Sequence, residues 1–127
     1  MDIKRLATAE AHSEGAECNI LDPITNKQTD VFITVKGADS AEWREQKKKQ
    51  TNAVLDARSA GKDADIDFDA MDVAALAAVT ISWRGIDSDG EEYPCNKKNA
   101  QRLYENAPSV VSQLLAFLSN GANFIKG

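Results

Sequence analysis

A single histidine, His12, stands in this chain of 127 residues. It lies in a weakly patterned start that offers no arrangement of nucleophile, base and orienting acid, so a catalytic triad is not expected. Cysteine is limited to Cys18 and Cys95, 77 positions apart, with no further Cys or His at ligand spacing. That excludes a disulfide-dense scaffold and leaves a zinc site two ligands short. Both thiols are read as reduced and partly buried, the alternative being a disulfide between them. Aromatic residues are only 6% of the chain, so aliphatic and alanine side chains must fill its core. No apolar run approaches the ~20 residues that a membrane helix needs, and Met1–Gly15 lacks the apolar stretch of a secretory signal. A basic surplus is missing too. The net charge is −5, which argues against general binding to nucleic acid, where affinity comes largely from neutralising phosphates. No glycine-rich phosphate loop or Walker pattern is present, and no apolar-flanked pair of acids is arranged for acid–base work.

What the chain does have is 43% apolar and 28% charged residues, the balance of one ordinary globular domain over residues 1–127. Its charge is segregated. Residues 40–62 carry Arg44, Lys47, Lys48, Lys49, Arg58 and Lys62 against Glu42, Glu45 and Asp56, whereas residues 63–72 carry five aspartates and no cation. This pattern describes a solvated helix followed by a charged loop, or a local basic patch beside an acidic linker.

The two-residue period of strands is confined to residues 17–36. Glu17-Cys18-Asn19-Ile20-Leu21 is followed by turn chemistry in Asp22-Pro23-Ile24-Thr25-Asn26-Lys27, where Pro23 pre-sets φ and Asn26 tolerates the left-handed region. Asp30–Lys36 then returns, with Val31, Ile33 and Val35 on one face and Phe32, Thr34 and Lys36 on the other. Before this hairpin, residues 1–14 are expected to form a short helix that Gly15 stops, the alternative being that residues 1–16 fray.

Asp39 or Ser40 opens a helix that extends to about Ser59, and Asp39 with Glu42 fits a capping box. Its apolar stripe is thin: Trp43, the stems of Lys47 and Gln50, then Val54 and Ala57. So little to bury points to a peripheral arm or an interface. These five residues are the candidate partner-binding set. For Trp43 a second role stays open, that of an anchor for the hairpin. Residues 60–69 read as a charged internal linker. Asp69 is expected to cap a helix over Met71–Trp83 that is apolar nearly all round and therefore central. Its β-branched end, Val79–Trp83, is strand-compatible, but the alanines before it favour helix. Arg84–Gly90 forms a turn and Tyr93–Cys95 is extended. Asn96 starts a helix bearing Ala100, Leu103 and Tyr104, and Pro108 opens the last one with Val111, Leu114, Leu115 and Leu118 on one side. Phe124 and Ile125 follow Asn120-Gly121. The expected class is α+β, mainly helical, with an N-terminal β-hairpin packed on about four helices.

Asp87-Ser88-Asp89-Gly90-Glu91 invites a calcium reading, but counted from Asp87 the glycine falls too early and Lys98 takes the place of the bidentate acid. It reads as a turn, and the alternating Asp65, Asp67 and Asp69 read as a solvated loop. No cofactor or metal is expected.

The order of these segments resembles the tail assembly chaperones of long-tailed bacteriophages. The similarity runs through Leu21-Asp22-Pro23, Thr25-Asn26, Asp30–Val35, Gly37–Ser40 and Trp43-Arg44. It continues through Val79, Trp83–Ile86, Asp89-Gly90, Pro94–Ala100, Leu103 and Pro108 to Phe124, roughly residues 17–125. The resemblance implies a non-catalytic protein that keeps the tape measure protein soluble while the tail tube forms. It further implies a frameshift-extended form that recruits the tail tube protein, residence in the bacterial host cytoplasm and absence from the mature virion. A homo-oligomer fits the thin-striped helix; neither nucleic acid nor membrane is an expected partner. The alternative is a structural tail or neck protein of the particle. A DNA-binding regulator using Arg44 and Lys47–Lys49 is weakened by the acidity and by the absence of a helix-turn-helix.

Overall fold

The chain begins with two short helices, α1 (Ile3–Leu6) and α2 (Ala9–Glu14), before the hairpin of β1 (Ala16–Leu21) and β2 (Gln28–Val35). Helix α3 (Ala41–Ser59) follows, and then α4 (Phe68–Val79) runs directly into β3 (Thr80–Arg84). A two-residue ribbon of β4 (Asp87–Ser88) and β5 (Glu91–Glu92) leads to α5 (Lys97–Asn106) and α6 (Pro108–Ser119). The computed structural model describes residues 1–125. With 55% helix and 18% strand, the chain is an α+β domain.

Strand β2 is the middle of a three-stranded antiparallel sheet in the order β1-β2-β3. Ile33 and Val35 point into the core with no exposed surface, and Cys18 and Ile20 join them from β1. The face with Val31, Ile33 and Val35 is thus the inner one, as its alternation requires, with Val31 only partly covered. In the connecting turn the Asp22 carboxylate accepts from the amides of Ile24 (2.8 Å) and Thr25 (3.0 Å), and Asn26 takes φ 60°.

Two expectations about the ordering of elements fail. The hairpin is not N-terminal, because α1 and α2 precede it, and α2 is held down. His12 is 2% exposed, stacks on Phe124 with ring centroids 4.6 Å apart, and accepts from the Asp39 amide through Nδ1 at 3.0 Å. Gly37 lies against that imidazole so closely that a Cβ there would collide with it. The second failure is at Val79–Trp83. The helix stops at Val79, and Thr80–Arg84 becomes the third strand, with Ile33 opposite Trp83 and Thr34 opposite Ser82. Local alanine-rich propensity is overruled by tertiary pairing: the open edge of β2 offers unpaired backbone groups, and β-branched Thr80 and Ile81 suit them. The switch is made without a loop. Thr80 takes extended angles, its hydroxyl donates to the Leu76 carbonyl at 2.7 Å, and the Lys36 amide donates to the Val79 carbonyl at 3.0 Å.

Helix α4 is the central one, with Ala75, Leu76, Ala77 and Val79 almost wholly buried. Leu114 and Leu118 of α6 and Tyr104 of α5 close over it. The caps follow local chemistry. The Ser40 hydroxyl accepts from the Trp43 amide, Asn96 from Asn99, and Pro108 opens α6. Asp67, rather than Asp69, caps α4 by accepting from the Ala70 amide at 3.0 Å, so the helix begins at Phe68 and the linker is shorter than its composition suggests. Within that linker Asp63–Asp65 makes one 3-10 turn.

Candidate interaction surface

Helix α3 is the one long element with little invested in the core. Of its 19 residues only Trp43 is buried, at 6% exposure. The Trp43 ring is thus covered by its own domain rather than presented outward. Lys47 extends over that ring with Nζ 5.4 Å from the centroid and donates to the Gln50 Oε1 at 3.3 Å. Gln50 is half-buried and donates through Nε2 to the Met71 carbonyl of α4 at 3.0 Å. Val54 and Ala57 are half-buried as well. The stripe Trp43, Gln50, Val54, Ala57 is therefore the seam that joins α3 to its own domain. Lys47 alone of the five stands exposed.

The side chains that do face outward are different ones. Leu55 is 54% exposed and Phe68 59% exposed, and both line a groove between α3 and α4 with Val54 and Met71. Lys47, Thr51, Leu55 and Arg58 recur at helical spacing along its α3 wall, and Asp72 stands on the α4 wall. Composition masks both residues: Leu55 sits one position from Val54 of the thin stripe, and Phe68 sits among aspartates. The available signal was that Leu55, ~100° round the helix from Val54, falls outside the narrow stripe of Trp43, Gln50, Val54 and Ala57.

Beyond Asp72, on the other side of α4, lies a second groove. Its floor is Val73, Pro108, Val111 and Leu115, and its rim is Asp69, Asp72 and Glu105. Asp72 is shared by the two grooves, so they are neighbours on one surface. The cations of α3 and the anions of α4 and α5 flank that surface. Among the described residues, the ion pairs formed are Lys36–Glu42 at 3.2 Å, Arg84–Glu17 at 2.9 Å and a contact of His12 with Asp39 at 3.5 Å. The exposed charges Lys47, Arg58, Asp69 and Glu105 belong to none of these.

Asp89 and Gly90, at φ 52° and 83°, form the tight turn between β4 and β5. Among the described residues no three His, Cys, Asp or Glu side chains converge as a metal site. Cys18 and Cys95 are free thiols, both pushed above the ordinary thiol value by burial. The Tyr104 hydroxyl is raised far more strongly, again by burial first. His12 Nε2 is enclosed without a hydrogen-bond partner among the described residues. No described helix is long and apolar enough to cross a membrane. Comparison with models of protein families, with curated proteins and with solved structures finds no match.

Proposed function

We propose that this chain is a non-catalytic tail assembly chaperone of a long-tailed bacteriophage, which binds the tape measure protein and keeps it soluble while the tail tube assembles. The observation that carries the reading on the structural side is the exposed pair Leu55 and Phe68 in one groove beside the long helix α3, of which only Trp43 is buried. An amphipathic helical client exposes apolar stripes that aggregate until covered, and an apolar groove between helices with polar walls is a shape that accepts such a stripe. The ordered resemblance over residues 17–125 supplies the identity of the client. In this reading the protein acts in the bacterial host cytoplasm, its hairpin and four longer helices form the chaperone body, and a frameshifted longer form would add contact with the tail tube protein.

Co-expression with the tape measure protein of the same phage tests this. The chain should raise the yield of soluble client and co-purify with it, and Leu55→Asp or Phe68→Asp should reduce both without changing the melting temperature by more than a few degrees. A chain that neither binds nor solubilises the client, and that is found stoichiometrically in mature particles, is a structural tail or neck protein instead.

A further inference from the structure

We propose that two copies of this chain associate through one self-complementary face, each laying its α3 into the acid-rimmed groove between α4 and α6 of the other. The inference starts from an asymmetry of charge within a single continuous surface. On one side, α3 presents Lys47 and Arg58 on the same stripe as exposed Leu55, with Lys48 and Lys49 exposed beside them. On the other side of α4, an apolar floor of Val73, Val111 and Leu115 is rimmed by Asp69, Asp72 and Glu105. Each half offers what the other lacks: a basic ridge carrying an apolar knob, and an apolar slot with an acidic margin.

A two-fold rotation about an axis along the α3–α4 seam exchanges these halves. It carries the basic ridge of one copy over the acidic slot of its partner, and the same operation makes the reciprocal contact. The interface is isologous and closes at two. Leu55 would enter the slot, Lys47 and Arg58 would meet the acidic rim, and Phe68 would lie near the axis. Overall the two acidic bodies repel, so the local complementarity selects the register while the apolar contacts hold it. This arrangement does not rest on the tape measure reading. Where that reading also holds, the second copy covers Leu55 and Phe68 until a client displaces it.

Sedimentation velocity on the full chain without any client reads the outcome directly. The wild type should reach a dimer, and no larger species, as concentration rises through the micromolar range. Leu55→Asp, at an exposed position, should raise the dimer dissociation constant at least about tenfold. The double variants Lys47→Glu/Arg58→Glu and Asp69→Lys/Glu105→Lys should each sediment as monomers, because each places like charges across both contacts. Mixed together they should form a heterodimer, since an acidic ridge then meets a basic slot and the reverse. Circular dichroism and a thermal melt of each variant show whether it is folded, and Leu55→Asp keeps the test open if a charge variant is not. A wild type that stays monomeric, a wild type that grows beyond a dimer, or two folded charge variants that remain monomeric when mixed would each overturn the proposal. The client experiment above is read by solubility, so failure there leaves this result untouched.

Discussion

Thr80→Val should destabilise the domain more than Tyr104→Phe, and the two substitutions together should cost less than their sum. Thr80 is the residue at which α4 becomes β3. Its hydroxyl donates to the Leu76 carbonyl at 2.7 Å and lies 2.7 Å from the Tyr104 hydroxyl. With the threonine proton committed to Leu76, Tyr104 must be the donor to Thr80 Oγ1. Tyr104 is 1% exposed, so water cannot replace that acceptor. Valine keeps the β-branched shape but leaves a buried phenol unsatisfied, at a cost of about 1–3 kcal/mol, whereas Tyr104→Phe removes the donor itself and should cost about 0.5–1.5 kcal/mol. In the double variant no phenol remains to be stranded, so the coupling should be about 1 kcal/mol. Urea titration of the four proteins measures this. For Thr80→Val, a slope of about 1–3 kcal/mol per M puts the expected shift of the midpoint near 1 M. Additivity to within about 0.5 kcal/mol, or a Thr80→Val protein no less stable than Tyr104→Phe, would refute the hydrogen-bond chain and with it this account of how the helix hands over to the strand.

Three further outcomes are expected. Leu76→Ala should cost about 2–5 kcal/mol through lost burial and the cavity left behind, while removing the exposed charges of Lys48 and Lys49 should stay within about 0.5 kcal/mol; equal losses in melting experiments would mean that α3 is not peripheral. Gly90→Ala, at φ 83° in open space, should cost about 1 kcal/mol for the left-handed backbone alone. Gly85→Ala should lower the melting temperature by more, because at φ 85° its Cβ would also collide with the Asp30 carbonyl of β2, and equal shifts would refute that contact. Glu17 is held below the ordinary carboxylate range chiefly by hydrogen bonds from Arg84, at 2.9 and 3.1 Å. Its contribution is therefore present above the unfolded-state value and lost as pH falls through the lowered one. The gap in melting temperature between wild type and Glu17→Gln should shrink in acid, and it should be small at all pH because the pair is exposed; a gap that widens in acid would reverse the sign of the linkage.

The hairpin, the starts of α5 and α6 and the central helix are legible in the sequence because each is fixed by chemistry within a few residues. Asp22, Pro23 and Asn26 dictate a turn wherever they are placed, and Asn96 and Pro108 can each do one thing at a helix start. Residues 73–79 are apolar throughout, and Val73, Ala75, Leu76, Ala77 and Val79 are buried. Two of the misplaced features depend on distant partners. Thr80–Trp83 is four residues long, and no period can be read from so short a segment; its state is decided by the free edge of β2, nearly fifty positions earlier. His12 looks idle in a polar start because what holds it, the Asp39 amide, Gly37 and Phe124, comes from the β2–α3 corner and from beyond α6.

For the interaction surface, the amount of apolar residue on α3 was legible but its direction was not. A thin stripe says that a helix buries little, and this is true of α3, where Trp43 alone is buried. It does not say whether the stripe faces the domain or the outside, because a helix touching its body along one seam and a helix touching a partner along one seam have the same periodicity. Here the seam to the body takes Trp43, Gln50, Val54 and Ala57, with Gln50 spending its amide on the Met71 carbonyl. What is left for a partner is the remainder, Leu55 joined by Phe68 from the start of α4. That remainder is visible only once α4 has been laid beside α3, and the placement depends on Asp67 capping α4 early enough to bring Phe68 into the helix. A two-residue difference in the cap thus moves an aromatic ring from a linker to the edge of a groove. The substitutions that should test the surface are for this reason Leu55→Asp and Phe68→Asp, whereas Trp43→Ala should reduce stability and binding together.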